Sequence, residues 1–168
     1  MRQWFWRVLV AGGFLALGVW VWTSVFPTPE RVIRKRLTEL AKAATVSGNE
    51  APLAVLLNSQ KLAGFFTADV EINLEVPGRA QQVLGGRDNL VQAAMQLRSA
   101  VGALQVAFYD IIVTVAPDKA TAEANLTLVA RPASERDKIV QELKFRLNKA
   151  EGGWRIYRLE TVKTLSLL

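Results

Sequence analysis

The sequence predicts an α+β protein: a single N-terminal transmembrane helix, then one domain in which an antiparallel sheet packs on about three helices. Three observations predict it. Residues Val8 to Phe26 form a run of 19 without a charge. Between Pro29 and Val101, apolar residues recur in three stretches at helical spacing. From Leu104 onward, four strand-like stretches follow, separated by turn residues, the first nearly all apolar and the later ones alternating apolar with polar.

The uncharged run makes a helix of about 28 Å, close to the thickness of a bilayer's hydrocarbon core. Trp4 and Trp6 stand at one end and Trp20 and Trp22 at the other. Indole rings favour the membrane interface, so these pairs predict two aromatic belts. The apolar core is longer than that of a cleavable signal peptide, and no Ala-x-Ala site follows it, so the helix is expected to be retained. Gly12 and Ala16 form a small-xxx-small pair that suits packing against a second helix. Residues 1–27 are therefore the anchor and residues 28–168 the domain.

Arg2, Arg7 and the amino terminus weigh toward a cytoplasmic N-terminus, while the run Arg31, Arg34, Lys35 and Arg36 pulls the other way. A short tail with few charges suits a signal-anchor with an exported domain. That places the domain in the periplasm of a bacterium, on the outer side of the inner membrane. The basic run lies just past the span, where it suits lipid headgroups or, equally, a solvated helix face.

Thr28-Pro29-Glu30 opens the first helix, with Thr28 as N-cap and an acid near the positive end of the dipole. Val32, Ile33, Leu37, Leu40, Ala41 and Ala44 form its apolar stripe, and Ser47-Gly48-Asn49 ends it. A second helix is expected over Pro52–Asn58, then a turn from Gln60 to Phe66. Val70, Ile72, Leu74 and Val76 alternate with polar residues as a half-buried strand. Pro77-Gly78 turns it into a short return strand, Gln81 to Leu84. Asp88 is the expected cap of a third helix carrying Leu90, Ala94, Leu97 and Val101, ended by Gly102. Leu104–Val115 is almost wholly apolar and reads as a central strand covered on both faces. Three more strands follow: Ala122–Arg131, Ile139–Asn148, and Trp154–Leu165 after the Glu151-Gly152-Gly153 turn. Consecutive hairpins make a meander, and the helices are available to cover one of its faces.

Composition removes several chemistries. The chain has no cysteine and no histidine, which excludes thiol nucleophiles, zinc–thiolate sites and the commonest general base. Its acids are scattered, so no oxygen-ligand metal site and no cofactor is expected. Gly85-Gly86-Arg87 lacks the spacing and lysine of a phosphate loop. Net charge is +6, but aromatic and basic residues do not interleave on a strand, which disfavours nucleic acid as a partner.

Three pieces carry a resemblance to a known family: Phe65-Phe66-Thr67-Ala68-Asp69-Val70-Glu71-Ile72, Gly85-Gly86-Arg87-Asp88-Asn89-Leu90, and Glu151-Gly152-Gly153-Trp154-Arg155-Ile156. In order and spacing the chain resembles the nuclear transport factor 2-like (SnoaL-like) superfamily over about residues 30 to 165. The resemblance implies a cone-shaped domain: a strongly bent sheet wrapped around a long helix, with a pocket at its open end. That superfamily includes isomerases, dehydratases, cyclases and proteins without chemistry, so the fold does not give the activity. In architecture alone, an anchor followed by such a domain resembles the VirB8-like assembly components of bacterial secretion machines.

Two functions follow as expectations. The first is a non-enzymatic assembly or interaction subunit, held at the bilayer and binding another protein or a second copy of itself. Its working surface would be the polar outer face carrying Glu142, Lys144 and Arg146. The second is a tethered binding module or acid–base enzyme for an apolar small molecule. Its pocket candidates are Phe65, Asp69, Tyr109, Phe145 and Trp154, with Asp110, Tyr157, Phe66 and Phe108 beside them; the plainer alternative is that the aromatics fill the core, Asp69 caps a turn and Tyr109 packs with its hydroxyl at the rim. A carboxyl such as Asp69 in an apolar cone would serve as a base, and a tyrosine hydroxyl would polarise a carbonyl.

Overall fold

The computed structural model describes residues 28–74, 82–133, 138–150 and 152–162. The expected span from Trp4 to Phe26, with its tryptophan belts and Gly12/Ala16 pair, lies outside them. So does the Pro77-Gly78 turn. Among the described residues, no helix is long and apolar enough to cross a membrane.

Three helices and six strands follow in the order α1 (Pro29–Ala44), α2 (Pro52–Ala63), β1 (Phe66–Leu74), β2 (Gln82–Gly85), α3 (Arg87–Ala100), β3 (Leu104–Val115), β4 (Thr121–Pro132), β5 (Ile139–Ala150) and β6 (Gly153–Thr161). Thr28 occupies the N-cap of α1, but its side chain makes no capping bond, so Pro29 and Glu30 mark this start. Ile33, Leu37, Leu40 and Ala41 are its buried residues, whereas Val32 is exposed at the edge of the stripe. Helix α2 runs five residues past the expected Asn58, because nothing breaks its pattern before Gly64. Gly86, at φ 85°, is the N-cap of α3, and Asp88 sits inside the first turn instead of capping it. Only glycine takes that backbone conformation at little cost.

The sheet has the order β2-β1-β6-β5-β4-β3. The meander β3 to β6 is antiparallel throughout, as its alternation and hairpin turns predict. The sheet as a whole is mixed, because β1 runs parallel to β6. The chain makes the β1–β2 hairpin and then crosses through α3 before building the meander. The last strand thus returns beside the first in the same direction, which a long crossover permits.

Strand β3 lies at a sheet edge, not at its centre. Its near-continuous apolar run has a local cause. Tyr109 pairs with Thr127 and Ile112 with Asn125, so β3 carries one residue more than β4 across this interval. The extra residue forms a β-bulge in which Asp110 takes a φ of 52°. The bulge switches the inward positions from Phe108 to Ile111, Val113 and Val115, which pack on the core. A second bulge in β6 leaves Tyr157 between Ile156, opposite Leu147, and Arg158, opposite Arg146.

The core lies between the inner face of the sheet and α1. Ile33 and Leu37 from the helix meet Val70, Phe145, Leu147 and Ile156 from the strands, all nearly inaccessible. Val46 bridges to Leu104 through two backbone hydrogen bonds, bringing the α1–α2 connection against the edge of β3. A Cβ added at Gly48 would lie 2.5 Å from the Gly102 carbonyl oxygen, so glycine is required where these two connections cross.

Candidate functional site

The five pocket candidates do not form one site. Phe65, Phe145 and Trp154 are buried members of the core cluster, and Phe145 stacks at a tilt on Phe108 with ring centroids 5.8 Å apart. Asp69 is exposed on β1. Tyr109 is 52% exposed on β3. Strands β6, β5 and β4 intervene between β1 and β3, which is about 19 Å along the sheet at ordinary strand spacing. Asp110 is also exposed, and Tyr157 is half-buried at its bulge. The acid–base pair needed for chemistry in the interior is therefore not assembled from Asp69 and Tyr109. Among the described residues, no group of three or more acids is placed to hold a metal ion.

The basic run on α1 divides. Arg31, Arg34 and Lys35 are exposed, as the helical period predicts for the polar side. Arg36 departs from the expected lipid-facing set. Three residues after Ile33 and four before Leu40, it falls on the apolar stripe, and its guanidinium lies over the Phe65 ring at 5.0 Å. Its Nε is buried without a hydrogen-bond partner.

A cleft of about 280 Å³ opens on the other side of the sheet, at the start of β3 and the end of β4. Thr45, Gln105, Val106, Ala107, Tyr109, Val129 and Arg131 line it. The register explains why these residues meet. Gln105 pairs with Arg131 and Ala107 with Val129, so their side chains alternate outward side by side on neighbouring strands. Tyr109 continues the same outward row before the bulge. Thr45 closes the open end: the Val106 N–H donates to its hydroxyl at 3.2 Å, and the hydroxyl donates to the Ala41 carbonyl at 3.0 Å. Of the five sequence candidates, only Tyr109 lines this cleft.

Beyond the cleft the outer face becomes a ladder of paired charges. Lys144 reaches Glu123 at 2.8 Å, Arg158 reaches Glu160 at 2.6 Å and Glu71 at 3.4 Å, and Arg146 lies between Glu123 and Glu160 at 3.8 and 3.9 Å. Each such exposed pair is worth no more than about 1 kcal/mol. The ladder makes this half of the face electrically self-satisfied. The other half exposes Tyr109, Ile112 and Val140.

Sequence reasoning missed Thr45, Gln105 and Arg131. The alternation was readable, but the register that sets Gln105 opposite Arg131 was not. Arg36 had a usable signal in its spacing from Ile33 and Leu40.

Comparisons with known proteins agree with this architecture. A candidate scytalone dehydratase from Novosphingobium aromaticivorans is 16% identical, with 80% of this chain and 83% of that chain covered and a TM-score of 0.58. An NTF2-like protein with a cystatin-like fold from the same organism is 21% identical, with 79% and 82% covered and a TM-score of 0.55. The yeast UBP3-associated protein BRE5 is 12% identical, with 79% and 95% covered and a TM-score of 0.57. At these identities the likeness is one of fold. A search of curated proteins returns no match. The family model of the SnoaL-like domain matches residues 57–160, more than half of the chain. With three helices and a bent mixed sheet among its described residues and this match, the chain belongs to the SnoaL-like domain family.

Proposed function

We propose that the chain is a membrane-anchored, non-enzymatic interaction subunit. Residues 1–27 hold it in the bilayer, and the outer face of its sheet docks another protein. The observation that carries this reading is the separation of Asp69 from Tyr109 by three strands, with both open to solvent. Asp69 and Tyr109 thus do not meet as an acid–base pair, while Tyr109 and Ile112 expose apolar surface beside a cleft. Tagged full-length protein extracted in mild detergent is expected to bring a partner with it. A lone monomer, together with no cross-link from the sheet face in native membranes, would overturn the reading.

The same proposal places the domain in a bacterial periplasm. The chain has no cysteine, so a single Glu39→Cys on the exposed side of α1 gives a clean topology probe. A membrane-impermeant maleimide should label it in cells with a permeabilised outer membrane and an intact inner one. Labelling only after lysis would reverse the orientation.

One observation favours a second reading. The half-buried Arg36 over Phe65, whose Nε has no hydrogen-bond partner, suits a small molecule bearing an anionic group inside the cone. Some fold relatives carry dehydratase names, which is compatible with it. Native mass spectrometry of the detergent-solubilised protein would decide: a co-purified acid lost in Arg36→Met supports this reading, and its absence removes it.

A further inference from the structure

The proposed docking face has a chemical asymmetry that specifies its partner. In the ladder, Lys144, Arg146 and Arg158 each lie beside an acid. Arg131, at the rim of the cleft, has no acid paired with it among the described residues. Around it the cleft supplies the Gln105 amide, the Tyr109 ring and hydroxyl, and an apolar floor of Ala107 and Val129. A guanidinium fork beside an amide donor is matched by a carboxylate, which accepts two parallel hydrogen bonds. The floor and the tyrosine ring match an apolar side chain next to it. The volume of about 280 Å³, at the small end of the roughly 300–1,000 Å³ of small-molecule pockets, holds one or two side chains. The cleft also opens along an exposed sheet face, across which a polypeptide can lie.

Resting on the interaction reading above, we infer that this cleft takes an acidic segment of a separate protein partner, with an Asp or Glu carboxylate on Arg131 and an adjacent apolar side chain against Tyr109, Ala107 and Val129. The charge ladder then acts as a border. Its cations are already neutralised, so it offers an acidic segment no competing place to bind.

The test uses the full-length protein in detergent, isotope-labelled, and two synthetic peptides, Ac-Phe-Glu-Glu-Leu-NH2 and its Gln-Gln counterpart. The acidic peptide is expected to shift the amide signals of Gln105, Ala107 and Val129. It should bind about tenfold more tightly than the amide peptide. Arg131→Gln should remove that preference, and Arg131→Lys should restore part of it. Equal binding of the two peptides, or no shift at these amides, overturns the inference. So does benzoate if it shifts them as strongly as the acidic peptide, which would make the cleft a small-molecule acid site. A photocross-linker in place of Ile112, on the same face but outside the cleft, separates the two levels of the argument. A cross-link to another protein in native membranes that Arg131→Gln leaves unchanged preserves the interaction reading and overturns this inference. A cross-link joining two copies of the chain overturns the separate partner. No cross-link and no peptide binding together overturn both.

Discussion

Arg98 of α3 and Glu50 of the α1–α2 connection form an ion pair at 2.9 Å, with side chains only 3% and 8% exposed. The Arg98 Nη1 donates to both carboxylate oxygens, at 2.9 and 3.0 Å, and its Nη2 donates to the Ala43 carbonyl. Asn58 of α2 adds a donor to Glu50 at 3.2 Å. One buried cation thereby ties all three helices together and satisfies a carbonyl at the C-terminal end of α1, where the helix dipole favours positive charge. Two residues past Ala43, Thr45 begins the cleft, so this pair also fixes one wall of the candidate site.

Removing one partner strands the other. Glu50→Gln leaves the Arg98 charge buried with an amide in place of a counter-ion and is expected to cost about 3–5 kcal/mol. The double variant Arg98→Met/Glu50→Leu should cost clearly less than the sum of the single changes, because neither charge remains. Urea denaturation of the wild type, Arg98→Met, Glu50→Leu and the double variant gives the coupling directly. A loss below about 1 kcal/mol for Glu50→Gln would show that the pair does not hold the helices.

Two aromatic residues that look alike in the sequence should separate in the same measurement. Phe145 is 1% exposed in the core, so Phe145→Ala should cost about 3–5 kcal/mol through lost burial and the cavity left behind. Tyr109 is 52% exposed on the outer face, so Tyr109→Ala should change stability by less than about 1 kcal/mol. It should instead weaken capture of the partner. Comparable destabilisation by both changes would mean that Tyr109 belongs to the fold and not to a surface.

Most of the fold was legible because periodicity reports which face of an element is buried. The stripe of α1, the alternation of β4 and β5 and the turns between meander strands needed no partner information. What escaped depends on long-range geometry. The parallel pairing of β1 with β6 joins residues 87 to 90 positions apart, and nothing local in Val70 or Leu159 announces it. The edge position of β3 was hidden by its bulge, which turns a half-buried strand into an apparently continuous apolar run. The pocket candidates divide for a related reason: aromatic content shows only that a residue seeks burial, and Phe65, Phe145 and Trp154 find it in the core, while Tyr109 lines the cleft.

Arg36 should behave unlike an ordinary buried arginine. Its contact with the Phe65 ring is worth about 0.5–1 kcal/mol, while a buried unsatisfied donor such as its Nε costs about 1–3 kcal/mol. Arg36→Met keeps the apolar stem and removes the orphan, so thermal unfolding should show equal or greater stability, by up to about 1 kcal/mol. A stabilising change would mean that the arginine contributes something other than stability at this position. A loss of more than about 1 kcal/mol would mean that the guanidinium is well satisfied in solution.

Asp118, at the turn between β3 and β4, contributes to the acid limb of stability. Its Oδ1 accepts the Ala120 N–H at 2.9 Å and the Thr121 N–H at 3.1 Å, and the Thr121 hydroxyl adds a further bond. These bonds, the one from Ala120 foremost, hold the carboxyl below its ordinary pKa. A folded-state pKa below the unfolded one makes a contribution that is fully present above the unfolded value. It is lost as pH falls through the folded one. Asp118→Asn keeps an oxygen acceptor but cannot titrate. The stability advantage of the wild type over Asp118→Asn should therefore be constant near neutral pH and shrink on acidification below about pH 4. Denaturation curves across that range measure it, and carbon-detected titration of the Asp118 carboxyl gives the folded pKa independently. An advantage that grows as pH falls would reverse the sign and mean that the turn binds the protonated acid more tightly than the carboxylate.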